Sequence, residues 1–181
     1  MSKVSTSAVV VIPPQQNWAP IQEIRQKYDH QINRWMPHIT LIYPFRPEEE
    51  YLSLEKKFSE VCKSIEPFKI HLKNFNYFNH GRQRYTLWLN PEPVDLLKDF
   101  QASISKIVPD CNDVNKYEKG FRPHLSVGQI KGKNNLSEII KNLQDNWKEI
   151  NFLLNEIFFI FREKSKTSQF KIKKRIQLKK E

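Results

Sequence analysis

Five histidines occur in this chain of 181 residues, and two of them share a frame. Pro37-His38-Ile39-Thr40-Leu41 and Pro123-His124-Leu125-Ser126-Val127 both read Pro-His-apolar-hydroxyl-apolar. From average composition, two such matches arise by chance on the order of 10⁻⁵. On an extended strand residues i and i+2 face the same side. His38 therefore projects with Thr40, and His124 with Ser126, while Ile39, Leu41, Leu125 and Val127 turn towards apolar packing. If the two strands lie side by side, two imidazoles and two hydroxyls surround one point. An imidazole titrates near ~6.5, so a pair of them can serve as general base and general acid near neutrality. The hydroxyls can hold oxygens on which negative charge develops. A phosphodiester takes that set: a base for the attacking oxygen, an acid for the leaving oxygen, and donors for the non-bridging oxygens. The set calls for no metal, and neither motif has an acidic cluster beside it of the kind two-metal nucleases use. The histidine spacing does not support a zinc site either.

Other residues near the motifs have two readings each. Arg122 precedes the second motif and reads as a phosphate contact or a loop charge. Arg34 and Trp35 lead into the first motif, where they would line a cleft or simply pack; Trp35 offers a surface for base stacking. Tyr43 lies five residues beyond His38 and should face the opposite side unless Pro44 bends the chain, so packing is its favoured role. Arg82 and Arg84 are candidate RNA contacts or solvated charges. His30 in a helix, His71 in a strand and His80 in a turn lack the shared frame and read as structural.

Several elements must position these groups. Residues 5–12 form a β-branched run stopped by Pro13-Pro14, a buried strand. Ile21, Ile24, Tyr28 and Ile32 recur at helical spacing over 18–32. A short apolar strand spans 38–43. Tyr51, Leu54, Phe58, Val61 and Ile65 mark an amphipathic helix over 47–65, with Pro47 and Glu48-Glu49-Glu50 suited to its start. Strands at 67–78 and 84–90 flank the turn 79–83. A helix at 94–107, a polar loop at 110–122, a strand at 124–130 and a helix at 136–150 follow. Two strands, 152–162 and 169–178, close the chain. Strands outnumber helices and form hairpins, so the fold class is α+β or mixed α/β rather than a doubly wound sheet. The order helix–strand–helix–strand–strand occurs in 18–90 and again in 94–178, with one His motif in each copy.

The two motifs resemble the paired His-x-Thr/Ser signatures of the 2H phosphoesterase superfamily, which includes RNA 2′,3′-cyclic phosphodiesterases, also called 2′-5′ RNA ligases. The segment Arg34-Trp35-Met36-Pro37-His38-Ile39-Thr40-Leu41-Ile42-Tyr43-Pro44-Phe45 is especially similar to 2′-5′ RNA ligase-like members. The separation of 86 residues between the histidines fits the family's design. The resemblance covers nearly the whole chain. It implies an α+β fold of two pseudo-symmetric lobes, each an antiparallel sheet with outer helices, enclosing a central cleft within one bilobal domain. It also implies that His38 and His124 are the acid/base pair, that Thr40 and Ser126 bind phosphate, and that no cofactor takes part. The implied activity is hydrolysis of a 2′,3′-cyclic phosphate or a 2′-5′ bond. An RNA-binding module with little turnover, or a nucleotide-metabolite phosphodiesterase, are the alternatives.

Composition sets the remaining bounds. No apolar run approaches a membrane span, and residues 1–5 do not read as a secretory signal. Cys62 and Cys111 have no metal-ligand spacing, and Cys62 falls on the apolar side of a helix, so a reducing, intracellular setting and a monomer are expected. The net charge is +10, and residues 162–181 hold nine Lys/Arg against two Glu. This basic segment reads either as an edge attracting phosphates or as an edge strand guarded by lysines. ATP-dependent ligation is disfavoured: there is no Lys-x-Asp-Gly motif and no glycine-rich phosphate loop, with only four glycines in the chain.

Overall fold

The computed structural model describes residues 2–117, 119–132 and 135–180. In chain order the elements are β1 (Ser7–Val11), α1 (Trp18–Tyr28), β2 (Ile39–Ile42), α2 (Tyr51–Cys62), β3 (Phe68–Asn79), β4 (Arg84–Glu92), α3 (Val94–Ser105), β5 (Leu125–Lys131), α4 (Leu136–Asn146), β6 (Ile150–Leu154), β7 (Glu156–Phe161) and β8 (Lys171–Gln177). The fold is α+β, with two antiparallel sheets of four strands in the orders β2-β1-β7-β8 and β5-β4-β3-β6. The strand that follows each histidine motif lies at one edge of its sheet, and β2 and β5 come into contact.

The duplication is visible in this topology, with a different boundary from the one periodicity suggests. Each half opens with a strand: β1-α1-β2-α2-β3 is matched by β4-α3-β5-α4 and the segment carrying β6 and β7. The halves also exchange strands. β3, from the first half, pairs with β4, and β7, from the second, pairs with β1. The expected single strand 152–162 is therefore two strands in two sheets. It breaks at Asn155, whose carbonyl accepts the Leu178 N–H at 2.8 Å; β6 pairs with β3 while β7 pairs with β1. Apolar patterning could not reveal this, because both segments are strands with buried residues.

One hydrophobic core serves both sheets. It gathers Val9, Val11, Ile39 and Leu41 from the first sheet, Ile70, Leu72, Leu87, Leu89, Leu125 and Val127 from the second, and Leu54, Phe58, Leu97 and Ile104 from the helices. β1 is buried along its whole length because its other face meets a second cluster, formed by Ala8, Val10, Ile12, Phe158, Ile160 and Phe170. Cys62 and Cys111 are buried free thiols, and burial pushes the Cys62 thiol up to about 12.

α1 belongs to the first half but packs on β5 of the second. The approach is close enough to require glycine at 128: a Cβ there would overlap the Tyr28 Cβ and lie 3.0 Å from the Tyr28 carbonyl carbon and oxygen. The helix stops at Tyr28 rather than continuing to residue 32, because the Asp29 carboxylate accepts the Gln31 N–H at 2.8 Å and turns the chain. His30 thus sits in a turn, not a helix.

The basic C-terminal segment becomes β8, an edge strand. Its cations meet nearby carboxylates: Lys173 with Glu48 at 2.8 Å, Lys174 with Glu55 at 2.6 Å, Arg175 with Glu156 at 3.2 Å, and Lys179 with Glu66. Among the described residues, no helix is long and apolar enough to cross a membrane.

Candidate active site

His38 and His124 occupy equivalent places, each the last residue before its strand, β2 or β5. Their rings are held the same way. His38 Nδ1 lies 2.7 Å from the Met36 carbonyl, and His124 Nδ1 lies 2.7 Å from the Arg122 carbonyl. A carbonyl oxygen only accepts, so each Nδ1 must donate. The neutral rings therefore carry their proton on Nδ1 and keep a lone pair on Nε2 for a substrate.

The strands that follow share an irregularity. β1–β2 pairing runs from Val10↔Thr40 to Val9↔Ile42 and skips Leu41. β4–β5 pairing runs from Trp88↔Ser126 to Leu87↔Gly128 and skips Val127. Both skipped residues come three positions after the histidine. A bulge of this kind re-aims the side chains beyond it, and it corrects the expectation for Tyr43. Leu41 and Ile42 both enter the main core, so Tyr43 is turned back to the His38 face. There it packs edge-on to Trp35, with ring centroids 5.6 Å apart, and donates to the Ser5 carbonyl at 3.1 Å.

Thr40 and Ser126 are half-buried, and each lies between fully buried neighbours. Thr40 stands opposite Val10, in the cluster that Trp35 covers, and Trp35 stacks on the His38 ring at 4.6 Å. Ser126 stands opposite Trp88, which meets the His124 ring edge-on at 6.0 Å. Each imidazole and its hydroxyl thus share a face of their sheet. The two histidines also sense each other, because charge on His124 disfavours charge on His38.

Aromatic rings crowd both imidazoles. On the first side, Trp35 lies between His38 and Phe170, stacking on the latter at 3.8 Å. On the second, Phe78 meets His124 edge-on at 4.9 Å and stacks on Trp88 at 5.0 Å. Removal of water by this packing is the largest influence on both rings, and it disfavours the charged form. It pushes His38 down from 6.5 to about 4, with the Met36 carbonyl opposing and the Arg25 charge assisting. His124 is lowered for the same reason, opposed by the Arg122 carbonyl and assisted by the Arg122 charge.

The remaining candidates divide. The Arg122 guanidinium lies over Trp88 at 4.8 Å and over Phe78 at 5.4 Å, an exposed cation on the aromatic floor beside His124. Arg34 serves packing: its side chain donates to the Lys166 carbonyl at 3.2 Å and its own carbonyl accepts from Phe170 N–H at 2.9 Å, which ties the β7–β8 loop to the first motif. His71 pairs with Glu149 at 2.5 Å, and His80 Nε2 lies 2.8 Å from the Thr86 hydroxyl. Among the described residues, no group of three His, Cys, Asp or Glu is arranged to hold a metal.

Sequence reading overlooked a buried network that joins the two motifs. Arg25 Nε donates to Asp29 Oδ2 at 2.7 Å, and a terminal nitrogen of Arg25 donates to the Trp35 carbonyl at 2.9 Å. The other Asp29 oxygen accepts from Gln129 Nε2 at 3.1 Å, and Gln129 Oε1 accepts the His30 N–H at 2.9 Å. The pair is almost fully buried, and it links α1, the approach to His38, and β5. The i,i+4 spacing of Arg25 and Asp29 beside Ile21 and Ile24 was the available signal. Phe78, Trp88 and Phe170 were also missed as site residues; no local pattern marks them.

Comparison with known proteins places this geometry in a class. The family model described as the 2′-5′ RNA ligase superfamily matches residues 13–166. The RNA 2′,3′-cyclic phosphodiesterase of Methanothermobacter thermautotrophicus is 28% identical over 138 residues, covering 69% of this chain and 71% of that protein. Among solved structures, a Thermus thermophilus protein superposes with a TM-score of 0.62 at 20% identity, covering 95% of this chain and 97% of the other. Escherichia coli LigT complexed with 3′-AMP superposes with a TM-score of 0.58 at 16% identity, covering 99% and 100%. The chain belongs to the 2′-5′ RNA ligase superfamily.

Proposed function

We propose that this protein hydrolyses 2′,3′-cyclic phosphates at RNA ends or on nucleotides, with His38 and His124 as its acid/base pair and without a metal. The observation that carries the reading is the matched anchoring of the two rings. Each Nδ1 is committed to a carbonyl two residues upstream, so each Nε2 is left to serve the substrate. One Nε2 accepts a proton from water as its oxygen attacks phosphorus. The other, protonated, gives its proton to the ribose oxygen as the P–O bond of the ring breaks, which yields a phosphomonoester. Thr40 and Ser126 donate to the non-bridging oxygens, and Arg122 adds positive charge beside them.

Burial keeps both rings neutral in the free protein at neutral pH. The acid's proton is therefore taken up with the substrate, whose anionic phosphate favours an imidazolium between the two rings. An RNA-binding module driven by the basic tail is less well supported, because four of that tail's cations face carboxylates.

The test is an assay of 2′,3′-cyclic nucleotides, cyclic-ended RNA, 2′-5′ oligoadenylate and ADP-ribose cyclic phosphate, with EDTA present and product phosphate position determined. Turnover of a cyclic phosphate that persists in EDTA and falls at least ~10²-fold in His38→Ala and in His124→Ala is expected. Full activity in either variant, or abolition by EDTA, would overturn the mechanism.

A further inference from the structure

The sheet face that carries Ser126 continues away from the histidines. Its rows follow from strand register: Ser126 lies opposite Trp88, Gln129 opposite Thr86, and Lys131 opposite Arg84. Thr86, Gln129, Arg84, Lys131, His80 and His30 line a groove of about 400 Å³. No aspartate or glutamate lines it.

Arg84 and Lys131 are both exposed and are direct cross-strand partners. Like charges facing each other across an antiparallel pair are destabilising. Among the described residues neither cation has a carboxylate partner to offset this, unlike the cations of β8. The hairpin tip beside them is held in an uncommon conformation, with φ of 50° at Arg82 and 55° at Gln83. Gln83 is pinned there, its carbonyl accepting the Gly132 N–H at 2.9 Å just past β5. Non-glycine residues in this region cost energy and persist where the surroundings fix them, often at ligand sites.

We propose that Arg84 and Lys131 form a second anion subsite, which holds an internal phosphodiester of an oligonucleotide whose reactive end lies between His38 and His124. The inference rests on the proposed phosphodiesterase reading and makes it narrower: an RNA chain, rather than a cyclic mononucleotide, is the preferred substrate. Two residues along a strand span roughly 7 Å, so the Arg84–Lys131 row lies roughly 13 Å from the Trp88–Ser126 row. A nucleic-acid strand carries a charge about every 3.4 Å of axis when stacked and at wider spacing when extended. A phosphate a few linkages inside the chain therefore falls over the two cations. The phosphate sits between them and removes their mutual repulsion, while the Thr86 and Gln129 side chains offer hydrogen bonds along the way.

The experiment compares wild type with the double variant Arg84→Gln/Lys131→Gln. Lys98→Gln/Lys106→Gln, on and just after α3, is a control with the same loss of charge. Binding of a fluorescent oligoribonucleotide ending in a 3′-phosphate is measured by anisotropy across a salt series. In parallel, kcat/KM is measured for a cyclic-ended oligoribonucleotide and a cyclic mononucleotide. The groove variant should bind the oligonucleotide about 10-fold more weakly, with a salt slope shallower by about 1.4, since each phosphate contact on a single strand contributes about 0.7. Its kcat/KM for the oligonucleotide should fall by a similar factor, with the mononucleotide within about twofold and the control unchanged. Unchanged oligonucleotide affinity and slope, an equal loss with both substrates, or an equal effect in the control would each overturn the subsite. If wild type turns over neither cyclic substrate, the catalytic reading fails, and the anisotropy arm still decides the subsite.

Discussion

His38→Asn should flatten the dependence of stability on pH. The Asn amide can still donate to the Met36 carbonyl, so the loop is kept while the titrating group is removed. In the folded wild type, desolvation lowers His38 from 6.5 to about 4. Between those values the unfolded chain binds a proton that the native state refuses. Stability from this group is therefore complete above the unfolded value and is lost as pH falls towards the folded one. The full span corresponds to about 3 kcal/mol. Linkage gives a loss of about 2 kcal/mol between about pH 7.5 and pH 5 from this residue alone. Urea unfolding of both proteins at the two pH values isolates the effect, since every other titrating group is common to them. Wild type should lose about 2 kcal/mol more than His38→Asn on acidification. Equal losses would refute the desolvation argument and, with it, the claim that the ring is neutral in the resting site.

Other consequences are equally specific. Gly128→Ala should destabilise by about 1–3 kcal/mol through overpacking against Tyr28, read as a lower denaturation midpoint; no change would mean that α1 does not press on β5 this closely. Asp29→Ala strands the buried Arg25 guanidinium and should cost about 3–5 kcal/mol in the same assay. Because both imidazoles are lowered, kcat/KM for a cyclic phosphate should peak below ~6.5 and decline above it as the singly protonated pair disappears. An optimum well above neutrality in a pH–rate profile would contradict that sign.

Much of the site was legible because a strand's period of two assigns faces without knowledge of the fold. Pro-His-apolar-hydroxyl-apolar gives the relative orientation of His38 and Thr40, and of His124 and Ser126, directly. The amphipathic helices and the α+β class were legible for the same reason, since their periodicity is local. What was lost is non-local. The division of 152–162 between two sheets depends on which partners β6 and β7 find, and their apolar content is alike. The orientation of Tyr43 depends on a bulge at Leu41 that only pairing with β1 creates. The aromatic rings over the histidines come from β3, β4 and the approach to β8, far away in sequence. The opposition of Arg84 and Lys131 likewise requires the register between β4 and β5.

The most direct test of the paired-imidazole site is a double-mutant cycle on kcat/KM for a 2′,3′-cyclic phosphate, using His38→Ala, His124→Ala and their combination. Groups that act as a unit on one phosphate lose their effect together, so each single variant should fall at least ~10²-fold and the double should be about as impaired as the worse single. Losses that multiply, as for independent sites, or near-wild-type activity in either single variant, would contradict a shared site.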